Sequence, residues 1–255
     1  MNKGDLKKIV DRPKMISGIY NYCDRWCERC SFTNRCVTFA LEQKALADPE
    51  KDLANEVFWG KLSEMFEITM EMILEDAEDL GIDLDDVDSE EIDTAYEKIE
   101  ELTENHYCIK LGKDYSDGVK KWFDEAEKLL AQKAEAFADN DRIGIEGNEA
   151  EELNEVIEVI SWYQYQIHIK IRRGLHGKFD EYTEDEDFPK DSDGSVKVAL
   201  IGMDRSTAAW GKILAIFPEK EDEILELLVV LERLRRFTEK EFPDARDFKR
   251  IGFDD

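Results

Sequence analysis

Four of the five cysteines fall within fourteen residues, in the stretch YCDRWCERCSFTNRC: Cys23, Cys27, Cys30 and Cys36. Thiolates are soft donors, and four of them close the coordination of one zinc ion or the corners of a [4Fe–4S] cluster. Asp24, Arg25, Glu28 and Arg29 are interleaved, so the stretch does not read as a buried apolar strip. The opening residues, MNKGDLKKIVDRPKM, lack the apolar core of a secretory signal, and no apolar run approaches the ~20 residues of a membrane span. A cytoplasmic, reducing location is therefore expected, where clustered cysteines serve as metal ligands or reactive thiols more often than as disulfides. The steps from Cys23 to Cys27 to Cys30 predict one helical face, at i, i+4 and i+7. Zinc knuckles favour glycine in their tight turns, and no glycine occurs between Gly18 and Gly60. The expectation is a [4Fe–4S] cluster held by Cys23, Cys27, Cys30 and Cys36, with zinc as the alternative.

The last three of these cysteines, CERCSFTNRC, resemble the iron–sulfur loop of endonuclease III and MutY glycosylases, which ends C-x2-C-x5-C. The iron–sulfur nucleases of the RecB class end similarly. The resemblance covers about ten residues. It implies a [4Fe–4S] centre, but the glycosylases have a longer first gap and a helix-hairpin-helix that is not found here, so DNA repair does not carry over. The first three, CDRWCERC, match the C-x3-C-x2-C spacing of radical-SAM enzymes. That family has an aromatic residue before the third cysteine where Arg29 stands here, and it needs a repeated strand–helix barrel.

The 255 residues carry a formal net charge of −27. That balance opposes nucleic acid and anionic membranes as partners and favours a redox or basic protein. Residues 1–36 depart from it, with eight Lys or Arg and four Asp or Glu, so this segment is a basic island of +4. Arg25, Arg29 and Arg35 could compensate an anionic cluster and raise its potential, or pair with Asp24 and Glu28. Tyr20, Tyr22, Trp26 and Phe32 are expected to shield the site from water. Cys108 stands alone and reads as a small buried residue.

A second candidate lies in VKVALIGMDRSTAAWGKIL, where Asp204 and Arg205 interrupt an apolar helix. Buried there, they need partners, and Glu155, Glu158, Lys170, Arg173, Glu232 and Arg235 are candidates. The arrangement would be either a structural ion-pair network or a small-ligand pocket edged by Tyr163, Tyr165 and His168. Other chemistry fails on spacing. A di-iron bundle needs Glu three residues before His, and Thr103, Tyr165 and Arg173 stand there instead. DLDDVD, residues 83–88, has Asp88 where a calcium loop needs glycine, and DSDG, residues 191–194, lacks the later glutamate, so both read as turns. No P-loop, dinucleotide-binding loop or nucleophile elbow occurs. The function expected is that of an iron–sulfur protein with a redox or electron-transfer role, or of an enzyme using the cluster next to a helical pocket; the alternative is a zinc-stabilised acidic helical interaction module without catalytic activity.

Helical periodicity must position these groups. It predicts a short helix from Cys36 to Ala47 ended by Asp48-Pro49. A second runs from about Asp52 to Leu80 with Phe66, Met70, Ile73 and Ala77 on its apolar face, closed by Gly81. Ile92 to Leu102 marks a third. Val119 to Phe137 marks a fourth, with Ser116 as N-cap. Asn148 and Glu151 resemble a capping box opening a long helix. Residues 161–172 alternate like a strand, yet Leu153 to Ile171 keep one helical phase, and a lone strand has no partner, so helix is expected. Residues 176–195 read as a connection, followed by helices from Val196 to Phe217 and from Glu221 to Glu241. The tail, with Phe242, Phe248 and Phe253, reads as a packed extension. The sum is an all-α protein, a bundle of six or seven helices, divided into an N-terminal cysteine lobe at 1–48 and a bundle domain at 49–255.

Overall fold

The computed structural model describes residues 13–46, 56–81, 89–142, 149–180 and 191–254. The described residues are mostly helical, with no strand among them. Among the described residues seven α-helices follow in order: α1 (Val37–Leu46), α2 (Glu56–Leu80), α3 (Ser89–Asn105), α4 (Tyr107–Arg142), α5 (Glu149–Phe179), α6 (Asp191–Ile216) and α7 (Glu221–Glu241). Among the described residues no helix is long and apolar enough to cross a membrane. The chain falls into two compact units, one within Met1–Ala95 together with Ile251–Asp255, the other Tyr96–Arg250.

The second unit is a helical bundle in which α4 packs on α5, α5 on α6, α6 on α7, and α7 back on α4. Neighbours run antiparallel. Gly174 of α5 meets Val196 of α6, while Tyr163, three turns earlier on α5, meets Gly202 further along α6. On α5, Leu153, Val156, Ile160, Tyr163, Ile167 and Ile171 are buried, three or four residues apart. Tyr165 and Ile169 are exposed. The strand-like alternation of this segment therefore spreads over two helical faces, and the 3.6-residue period decides which side is covered. At the centre Trp210 Nε1–H donates to the Tyr115 hydroxyl at 3.0 Å, both side chains fully buried. The Trp122 ring stands edge-on to Trp210 at 5.0 Å.

Several expectations change. Ser116 does not cap a helix. It is buried inside α4, which starts at Tyr107, and its hydroxyl donates to the Lys113 carbonyl at 3.0 Å. A serine can satisfy itself on the preceding turn, so its type does not by itself mark a boundary. The expected connection at 176–195 is shorter: α5 continues to Phe179 and α6 starts at Asp191, with Gly194 and Ser195 buried. DSDG is thus the first turn of α6 rather than a loop, and Asp191 there receives the Arg173 guanidinium at 2.8 Å. Acidic residues suit a helix start because the N-terminal amides are partly positive. On α2, Ala77 is buried but Phe66, Met70, Ile73 and Leu80 are exposed. Periodicity identifies the apolar face without saying whether anything covers it. Gly81 ends α2 as expected, at φ +70°. Asn148, DLDDVD and Asp48-Pro49 lie outside the described residues.

Candidate metal centre

The cysteine segment is not the helix face that its spacing predicts. Residues 23–36 form a chain of tight turns. Asp24 Oδ1 accepts the Trp26 N–H at 3.2 Å, and the Cys27 N–H returns to the Arg25 carbonyl at 3.0 Å. Between them Arg25 takes φ +58°, the left-handed region that glycine usually fills. A short 3-10 turn at Cys27–Arg29 follows, closed by the Cys30 N–H on the Cys27 carbonyl at 3.2 Å. A second at Thr33–Arg35 is closed by the Cys36 N–H on the Thr33 carbonyl at 3.3 Å. The Cys36 carbonyl then accepts from Ala40, so Cys36 immediately precedes α1. Asp24 and the left-handed Arg25 make the turn for which a sequence reader looks for glycine.

These turns bring Cys23, Cys27, Cys30 and Cys36 to the lining of one cavity. Its wall is apolar and aromatic, with Ile19, Tyr20, Trp26, Phe32, Phe39 and Phe253. Tyr20, Trp26 and Phe32 stand where shielding was expected, and Tyr22 is not in the lining. Phe39 and Phe253 were missed: one follows the cysteines on α1, and the other comes from the far end of the sequence. The Phe32 N–H donates to Cys30 Sγ at 3.4 Å, and the Cys23 thiol donates to the Tyr20 carbonyl at 3.4 Å. Burial first, then Glu42 and the other three thiols, hold the Cys27 thiol above its ordinary value. Among the described residues no three Cys, His, Asp or Glu side chains already stand as a set around a single ion. The donor set itself fits a thiolate-bound metal group: four thiols, one shared cavity, an apolar wall and a backbone amide directed at sulfur.

The arginines divide. Arg25 lines the cavity, and its guanidinium meets Glu42 Oε1 at 3.3 Å, both side chains about half exposed. Arg29 lies over the Trp26 ring, 4.1 Å from its centroid. Arg35 Nε donates to the Lys14 carbonyl at 3.1 Å. None of the five cysteines is in a disulfide, and Cys108 is fully buried in α4, where burial pushes its thiol up to about 11.

The second candidate dissolves as a buried site. Asp204 and Arg205 are exposed on α6, because the helix turns Gly202, Met203 and Ser206 inward and leaves these two on the outer side. Asp204 pairs with Arg246 at 2.5 Å, and Arg246 also reaches Glu239, which binds Arg235 beside Glu232. The expected buried network is therefore not formed: the partner of Asp204 is Arg246, which was not among the candidates, and these ion pairs lie at the surface. Arg205 donates to the hydroxyl of the otherwise buried Tyr163. His168 is elsewhere: its Cβ lies against Gly112 of α4, and burial first, then Lys113, lowers its basicity. Tyr163 and His168 thus face different helices, and the described residues do not bring His168 to Asp204 or Arg205. Compared with protein-family models, curated proteins and solved structures, the chain matches none.

Proposed function

We propose that Cys23, Cys27, Cys30 and Cys36 are the ligands of one iron–sulfur centre of the [4Fe–4S] type, and that the protein is an electron carrier in a reducing cytoplasm. The observation that carries this is the presence of all four cysteines in the lining of a single cavity with an aromatic wall. When bound, such a cluster supplies one-electron transfer. The chain's own residues would set its properties. The Phe32 amide hydrogen-bonded to Cys30 Sγ withdraws charge from a sulfur and raises the potential. Trp26, Phe32, Phe39 and Phe253 keep water from the thiolates. Arg25, in the lining, supplies a positive charge beside an anionic centre. The acidic remainder of the chain suits a basic redox partner and is ill-suited to nucleic acid.

One pair of observations favours a second reading, a zinc-stabilised interaction module. The left-handed Arg25 and the two 3-10 turns supply tight knuckle-like turns without glycine. Helix α2 leaves Phe66, Met70, Ile73 and Leu80 exposed among eight carboxylates and one lysine, a face that would dock a basic amphipathic partner.

In either case the four cysteines act as one site. Replacing any one of them by alanine should strip most of the metal and loosen residues 13–46, since ligands cooperate and metal binding is folding energy. Cys108→Ala should leave metal content unchanged. Dependence on Cys108 together with independence of Cys36 would refute the ligand set.

A further inference from the structure

The last residues of the chain do more than cover a hydrophobic edge. Phe253 lines the cysteine cavity and stands edge-on to Phe32, with ring centroids 5.2 Å apart at 76°. Phe32 is the residue whose N–H donates to Cys30 Sγ. Gly252 takes φ +78°, and a Cβ there would lie 3.0 Å from Ile19 Cδ1 and 3.2 Å from Ile16 Cδ1. Ile251 Cδ1 would lie 3.6 Å from a Cβ on Gly18, so the tail is seated on the turn that precedes the first cysteine. Only a residue without a side chain can turn here and still let the backbone approach the two isoleucines this closely. The segment is thus shaped to its place, although more than 200 residues separate it from the cysteines.

We propose that Ile251-Gly252-Phe253 is the closing wall of the four-cysteine cavity, and that Phe253 is a positioning residue that holds the Cys30–Phe32 turn through its contact with Phe32. The four cysteines are partly exposed with the tail in place, and lifting residues 251–253 opens the cavity further to metal and to small thiol reagents. In its metal arm the inference rests on the function proposed above. The covering of the thiols does not depend on a metal.

The experiment uses the full chain as wild type, Phe253→Ala, Phe253→Leu and Gly252→Ala, with Phe237→Ala, an exposed ring on α7, as a control. Two rates are read: release of bound metal to excess chelator, and iodoacetamide labelling of each cysteine in the metal-free protein, followed by mass spectrometry. Phe253→Ala should raise both rates roughly tenfold, the effect of one lost aromatic contact on a local opening equilibrium. Gly252→Ala should do the same by lifting the tail while keeping the ring. Phe253→Leu should restore most of the protection, and labelling at buried Cys108 should stay unchanged in every variant. If the wild type carries no metal, the iron–sulfur proposal fails, and the labelling rates alone decide the inference. Wild-type labelling and release in both Phe253→Ala and Gly252→Ala would overturn it. So would acceleration at Cys108 equal to that at Cys30, which would signify general unfolding.

Discussion

Arg25 offers a test in which two magnitudes compete. Its left-handed backbone, φ +58°, costs a side-chain-bearing residue about 1–2 kcal/mol. Its ion pair with Glu42, at 3.3 Å with both groups about half exposed, is worth about 0.2–1 kcal/mol after solvent screening. Arg25→Ala keeps the strain and loses the pair, so the turn should weaken by about 0.5 kcal/mol. Arg25→Gly also loses the pair and adds about 0.5–1 kcal/mol of unfolded-state entropy, but it removes the strain, which brings it close to wild type. Glycine should therefore be more stable than alanine by about 1 kcal/mol, roughly a fivefold difference in local opening. Hydrogen exchange of the amides of residues 26–36 reads that ratio directly. Alanine equal to or more protected than glycine would show that the turn is not left-handed at Arg25. The same two variants separate the roles of the charge. If Arg25 compensates an anionic centre, both should lose metal faster than wild type, and added salt should narrow the difference.

Gly174→Ala should destabilise the bundle. The new Cβ would stand 2.4 Å from Val196 Cγ2 and 3.1 Å from the Ser192 carbonyl oxygen, an overpacking cost of about 1–3 kcal/mol against a helix-propensity gain of up to about 1 kcal/mol. A lower urea midpoint at unchanged slope is the expected result. Gly211→Ala on α6, where a Cβ meets nothing within 4 Å, should instead stabilise by up to about 1 kcal/mol. Hydrogen bonds from Arg235 and Arg236 hold the Glu232 carboxyl down to about 2. A carboxyl lowered on folding contributes stability above its ordinary value and loses it as pH falls toward the folded one. Acid melting between pH 4.5 and 2 should therefore be less steep in Glu232→Gln, by a small, salt-sensitive amount because the pair is exposed.

The bundle was legible because its signal is collective. From Leu153 to Ile171 six buried side chains repeat one period, and no single residue decides the outcome. The α6–α7 break was legible for the opposite reason, a single proline whose ring favours the short turn at Pro218–Lys220. What failed were inferences from one residue's type. Ser116 resembled a cap but bonds inside a helix, and Asp204 with Arg205 resembled buried charges but stand on the one side of α6 that faces outward. At the cysteines the residue types were readable and the backbone was not. Three thiols at i, i+4 and i+7 fit a helix, yet the Asx-type bond from Asp24 and the left-handed Arg25 build turns that place them around a cavity. Phe253 could not have been found, since nothing local marks a contact across more than 200 residues.

The account stands on what the four thiols hold. Protein purified without oxygen and without added metal should be brown and contain about four irons and about four acid-labile sulfides per chain, as a [4Fe–4S] centre requires. That iron should vanish in Cys36→Ala. A colourless protein carrying one zinc per chain would contradict the iron–sulfur assignment and leave the zinc-stabilised module, and a protein with neither metal would contradict the four-thiol centre altogether.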